Sequence, residues 1–339
     1  MLDDQRPGTI YWIDHYVVGT NDVQRWVDFH TKVLGAHDNR PTGGGGGRGL
    51  PNSFFQDLAG PCHHGGFGQT EPLPPSNGLG TTYPRYGLYI RQEDIPEHLA
   101  RLDANNVPHT DPIRTSAEGE SGVAIYWEDP DGNGFEFWGP DKLPEGAMDG
   151  AGPEKVGRIS HGVFESQDLQ RTADFFSRYC ALDAAKSADI AGDTLVLPLA
   201  AGGRLIFKKV EQFQKRTGGW GQFNGPHAAL VVRDEDFFPN YERMWAELGD
   251  WKLDKESGHF VGEGSDLPAR MARHGSPAGR QFYEIYGRGD DWYDFDTNCF
   301  HFFGGLAKNG SMRDYEPHSM EYHLDEYLKE HGETPLAAR

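Results

Sequence analysis

His161, His227 and Glu284 bring two imidazoles and one carboxylate onto three separate apolar runs, 66 and 57 residues apart. A charged or imidazole side chain among apolar neighbours needs a compensating reason to point inward. Two imidazoles and a carboxylate on one face of an octahedral ion leave the opposite face open. That pattern suits non-haem Fe(II), with Mn(II) as a substitute, and lets substrate and O2 bind side by side. Each residue also has an ordinary role: His161 as a core histidine, His227 as a strand-entry residue after Gly225-Pro226, and Glu284 as a solvent-facing residue on an edge strand. It is their joint placement that argues for a metal.

The elements that must position these residues come from an internal repeat. Ile13-Asp14-His15-Tyr16-Val17-Val18, followed by Asp22-Val23-Gln24-Arg25, recurs 146 residues later as Ile159-Ser160-His161-Gly162-Val163-Phe164, followed by Asp168-Leu169-Gln170-Arg171. Each copy predicts a strand centred on its histidine, an aspartate N-cap and an amphipathic helix. A second strand-then-helix pair follows in each copy, at 86–90 with 95–102 and at 227–232 with 237–248. The first copy then closes on a hairpin through Asp129-Pro130-Asp131-Gly132-Asn133-Gly134. The second closes through Ser276-Pro277-Ala278-Gly279 onto the strand that carries Glu284. The first copy keeps His15 and Glu136, but at the place of His227 it has Tyr86, or Arg85 in a neighbouring register. With one ligand gone, it is expected to be a metal-free structural partner. The segment 294–305 aligns on 129–140 and sets His301 opposite Glu136, which makes His301 an alternative to Glu284 as third ligand.

Residues 144–157 are rich in Gly, Pro and small side chains and read as a linker. The predicted units are therefore 8–143, 155–304 and a polar tail, 305–339, helical over 319–330. The glycine run 43–47 reads as a surface loop, as does the glycine-rich segment around Cys62-His63-His64. Lys208-Lys209 reads as a solvated strand end.

The doubled modules and the ligand spacing resemble the vicinal oxygen chelate superfamily, and within it the two-domain, type I extradiol ring-cleaving dioxygenases. The resemblance spans residues 8 to 300, and its most specific segment is Gln281-Phe282-Tyr283-Glu284-Ile285-Tyr286-Gly287 with the turn before it. It implies an α+β fold of tandem modules, each of paired βαβββ units whose curved mixed sheet forms a funnel. It also implies iron held by His161, His227 and Glu284, an aromatic diol and O2 as substrates, and a homo-oligomer. That family carries an acid–base histidine about fifteen residues before the second ligand. Here that stretch is Val210-Glu211-Gln212-Phe213-Gln214 and has none. His259 is the expected equivalent, with His274 next, and Tyr283 a possible phenolic donor. Two rivals keep the fold: a metal-dependent glyoxalase or isomerase, and a non-catalytic small-molecule-binding protein.

The bulk composition bounds these readings. At 339 residues the chain is long enough for two domains with real cores. A formal net charge of −20 argues against nucleic acid or an anionic membrane as partner. Three cysteines without paired spacing point to a reduced, cytoplasmic setting. No apolar run approaches the roughly 20 residues that span a bilayer.

Overall fold

The computed structural model of the chain describes residues 7–37, 53–60, 62–68, 72–116, 118–182, 190–212, 214, 227–233 and 236. It also gives the backbone of the strands at 251–254, 259–262, 269–275, 281–287 and 299–306. The expected helix at 237–248, the turn at 276–279, the glycine run 43–47 and the tail beyond 306 lie outside the described residues.

The repeated opening folds as its pattern predicts. Strand β1 (Ile13–Thr20) leads into helix α1 (Val23–Leu34), and β8 (Ile159–Ser166) into α3 (Leu169–Cys180). Asp22 caps α1 by accepting from the Arg25 amide at 3.0 Å, and Asp168 does the same for Arg171. Gly35 ends α1 at φ 68°, the left-handed region glycine enters freely. Ala181 ends α3 at φ 52°, where a Cβ costs about 1 kcal/mol. The remaining elements of the first half are β2 (Ser53–Asp57), β3 (His63–Gly68), β4 (Arg85–Tyr89), α2 (Ile95–Ala104), β5 (Ile113–Thr115), β6 (Gly122–Glu128) and β7 (Gly134–Pro140). Those of the second are β9 (Ile190–Ala191), β10 (Thr194–Pro198), β11 (Arg204–Lys209), β12 (His227–Arg233), β13 (Trp251–Asp254), β14 (His259–Gly262), β15 (Ala269–Gly275), β16 (Gln281–Gly287) and β17 (Cys299–Leu306). Cys62-His63-His64 is therefore the entry to a strand, not a loop fragment.

The strands form two large mixed sheets, giving the expected α+β architecture of curled half-barrels. One has seven strands in the order β15-β16-β17-β12-β1-β3-β2, and the other eight in the order β5-β6-β7-β4-β8-β11-β10-β9. Each is centred on two antiparallel first strands, β1 with β12 and β4 with β8. The pairing therefore does not follow the division into 8–143 and 155–304, because each sheet takes strands from both halves. The reason lies in the linker, which is stitched onto β4. The Gly157 amide donates to Tyr89 O at 2.7 Å and the Tyr89 amide to Arg158 O at 3.0 Å, which extends the β4–β8 ladder. With β8 taken by β4, the open edge of β1 receives β12.

The two sheets pack through one shared core. Tyr16 of β1 stacks on Tyr86 of β4 with ring centroids 4.3 Å apart, and Tyr86 meets Phe164 of β8 edge-on at 6.0 Å. The same buried cluster takes in Trp26 of α1, Phe135 and Phe137 of β7 and Phe176 of α3. Strand alternation then sends His15 and His161, one residue off this face, to the opposite side of each sheet. Cys62 and Cys180 are both buried. Among the described residues no helix is long and apolar enough to cross a membrane.

Candidate metal centre

On the seven-stranded sheet one row of register partners crosses five strands. His63 lies opposite His15, His15 opposite Ala229, Ala229 opposite His301, and His301 opposite Glu284. His227 sits two residues before Ala229, opposite Val17, and so shares its face. A register irregularity between Ile13 and His15 explains how Asp14 and His15, neighbours in sequence, meet on one side; bulges re-aim side chains in this way. Asp14 Oδ2 lies 2.8 Å from His15 Nδ1 and 3.5 Å from His63 Nε2. The two imidazoles stack with centroids 4.5 Å apart. Ligand atoms of Asp14, His15 and His63 all fall within 4.8 Å of one another.

Burial, reinforced by His63, pulls the His15 pKa down to about 4 against the opposing pull of Asp14. At neutral pH its ring is therefore uncharged, the form that binds metals. A carboxylate accepts but does not donate, so Asp14 fixes the His15 proton on Nδ1 and directs Nε2 away from itself. Of the side chains in this row, His15 is almost fully buried while His63 keeps 28% of its side chain exposed.

The eight-stranded sheet carries the same row with different residues. Arg204, His161, Gly87, Glu136 and Tyr126 are successive register partners across β11, β8, β4, β7 and β6. Arg85 lies opposite Val163, as His227 lies opposite Val17. Val163 and Val17 are themselves repeat equivalents, so Arg85, not Tyr86, occupies the seat of His227. Glu136 Oε2 accepts from Arg85 Nε at 3.0 Å and from His161 Nε2 at 3.1 Å. Arg85 Nη2 donates to Glu118 at 3.0 Å, and the guanidinium lies 4.7 Å from the Tyr126 ring centroid. Burial opposes the charge on Arg85, but Glu136 and Glu118 outweigh it and hold the guanidinium above its ordinary pKa. Burial likewise opposes ionisation of Glu118, yet Arg85, His161 and Lys208 keep its carboxyl below the usual range. Lys208 reaches Glu118 at 3.1 Å and is not a solvated strand end.

The glycine at position 87 decides how His161 lies. A Cβ there would fall 2.6 Å from both His161 Nδ1 and Ser160 Oγ. The ring crosses the β4 backbone at Gly87 to reach Glu136, and the matching residue of the other sheet is Ala229.

The predicted site residues therefore separate. His227 and Glu284 share the seven-stranded sheet, whereas His161 belongs to the eight-stranded one, bound to Glu136 and to Ser160 Oγ at 2.9 Å. His259 opens β14, which among the described residues pairs with β13 in a separate two-stranded ribbon. His274 lies on β15 opposite Phe282, and Tyr283 on β16 alternates with Glu284 and pairs with Phe302. The side chains of His227, His259, His274, Tyr283, Glu284 and His301 lie outside the described residues. β17 pairs parallel to β12 as β7 does to β4, so His301, not Glu284, is the register equivalent of Glu136. The sequence reading missed His63. Its signal was the pair His63-His64 itself, one histidine for each face of a strand, with His64 buried beside Trp26 and hydrogen-bonded to Tyr16 at 3.1 Å.

Comparison with known proteins agrees with this architecture. Residues 12–137 match the Glyoxalase/Bleomycin resistance protein/Dioxygenase superfamily model. No curated protein matches the chain by sequence. Among solved structures, a putative dioxygenase from Bacillus subtilis superposes over 99% of both chains, with TM-score 0.58 and 15% identity. Glyoxalase I from Zea mays covers 89% of this chain and 94% of its own, with TM-score 0.51 and 12% identity. At such identities the likeness shows the fold alone. The segment 12–137 thus resembles the glyoxalase/bleomycin resistance/dioxygenase superfamily, and the chain as a whole has an α+β architecture consistent with the vicinal oxygen chelate fold.

Proposed function

We propose that the protein is a metal-dependent dioxygenase whose metal centre lies on the seven-stranded sheet and is shared between the two halves of the chain. The observation that carries this reading is the register row that aligns His15, His301 and Glu284, with His227 two residues along on the same face. His15 and His227 supply the imidazoles, and the third ligand comes from β17 or β16, as His301 or Glu284. His15 thus takes the role that the spacing argument gave to His161. The residues fit a first-row divalent ion: His15 is held neutral by burial and oriented through Nδ1 by Asp14. An imidazole-rich set with a carboxylate at hand suits Fe(II) or Mn(II).

With an ion held by these residues, the chemistry supplied would be chelation of an aromatic diol through its two oxygens and relay of electrons from the diol, the reductant, to O2. The chain's own residues do the rest. Asp14 fixes the His15 tautomer, and His63, beside His15 and partly exposed, is placed to hydrogen-bond a bound diol oxygen. His274, across the β15–β16 ladder from Phe282, remains the next acid–base choice.

The test is oxygen uptake by anaerobically purified, Fe(II)-reconstituted protein against a panel of catechols and hydroquinones. Uptake with ring opening on at least one diol is expected. Iron-loaded protein that consumes no O2 with any of them sinks the dioxygenase reading. A second reading, a non-redox glyoxalase or isomerase, is favoured by one observation: the proposed ligands come from both halves of the chain. That reading expects turnover of a substrate without O2 consumption.

A further inference from the structure

The face of the eight-stranded sheet that carries His161 repeats the proposed metal site in every seat but one. His161 stands at the His15 position and Glu136 at the His301 position, while Arg85 replaces His227. Ligand atoms of Glu118, Glu136 and His161 gather within 4.8 Å of one another, close enough for one ion. The guanidinium of Arg85, 2% exposed, is already bonded to both carboxylates. Two buried carboxylates side by side need a cation. Here a side chain supplies it and uses the oxygen lone pairs that an ion would need. The carboxylate accepts from His161 Nε2, so that nitrogen carries the ring proton and Nδ1 faces Ser160 Oγ.

We propose that this face is a latent second metal site which Arg85 keeps closed by standing in for the ion, and that histidine at position 85 opens it to a divalent transition metal. Replacing Arg85 releases Glu136, leaves Glu118 with Lys208 at 3.1 Å as its remaining cation, and restores the imidazole that the repeat has at His227. His161 then binds through Nε2 once its proton shifts to Nδ1, where Ser160 Oγ accepts it. The native chain is thus expected to bind nothing at this face, and its fold there to be independent of metal.

The test is run where the other sheet is silent, in a full-length chain carrying His15→Ala and His227→Ala, so that failure here and failure of the proposed function are read on different proteins. Co(II) is titrated by equilibrium dialysis and followed by its visible absorption. The parent is expected to bind no Co(II), and addition of R85H to bind one per chain, with loss of that ion on further addition of His161→Ala. Because emptying a buried ion triplet can unfold the chain, R85H and R85C are also followed by far-UV circular dichroism, where refolding by Co(II) counts as binding. The proposal is overturned if neither variant binds Co(II) in either readout, or if the parent already binds it at this face with Arg85 in place.

Discussion

Asp14 is not itself one of the proposed ligands, yet changing it should weaken metal binding. Its Oδ2 lies 2.8 Å from His15 Nδ1 in a fully buried position, and outer partners of ligating histidines typically contribute 10- to 100-fold in affinity. Asp14→Asn keeps an acceptor for the Nδ1 proton but loses the charge, so it belongs at the lower end: about 10-fold, or about 1.4 kcal/mol. Asp14→Ala loses both and should approach about 100-fold. An opposing effect must be weighed. Asp14 raises the His15 pKa, so its removal would reduce proton competition for the ring. With that pKa already at about 4, only roughly one ring in a thousand is protonated at pH 7. Little competition is left to relieve, and loss of orientation wins. The assay is competition against a chromophoric chelator for Fe(II) or Co(II) at pH 7. Ser160→Ala, which removes the matching partner of His161, is the control and should leave affinity unchanged. An Asp14→Ala affinity within twofold of wild type would refute the assignment of His15 as a ligand.

Two further outcomes test the packing around the sites. His98 of α2 is buried against Phe137 at 4.8 Å, and burial together with nearby Arg101 lowers its pKa to about 4. The unfolded chain, with a histidine pKa near 6.5, binds more protons below that value, so this group is neutral to stability above pH 6.5 and costs stability as pH falls toward 4. At about 1.4 kcal/mol per unit the loss reaches about 2 kcal/mol by pH 5. Urea unfolding at pH 8 and pH 5 should show His98→Leu losing about 2 kcal/mol less than wild type; equal losses would rule the shift out. Gly87→Ala drives a Cβ into His161 and Ser160 and should cost about 1–3 kcal/mol in thermal or denaturant unfolding; an unchanged stability would mean that His161 does not cross β4 as described.

Much of the fold was legible in the sequence because its signals are local. The aspartate caps at Asp22 and Asp168, the helices behind them, the hairpin at 129–134 and the central placement of His15 and His161 all follow from periodicity and turn chemistry. Strand pairing between the halves was not legible. Whether β8 joins β4 or β12 depends on how the linker at 144–157 lies against Tyr89, a tertiary contact without a sequence pattern of its own. That one choice moves His15 beside β12 and takes His161 away from it. Residue types gave the chemistry of the site, two imidazoles with a carboxylate, but pairing decides which histidine of a repeated pair supplies one of them. The register also resolves what alignment left open, setting Arg85 in the His227 seat and His301 in the Glu136 seat. His63 escaped because a histidine pair among glycines gives a weak strand signal.

The central claim is that the metal centre belongs to the seven-stranded sheet and draws on both halves of the chain. It is tested most directly by iron content per chain after anaerobic Fe(II) reconstitution and desalting, compared between His15→Ala and His161→Ala. His15→Ala is expected to lose its iron while His161→Ala keeps the wild-type amount; iron retained without His15 and lost without His161 would place the centre on the other sheet.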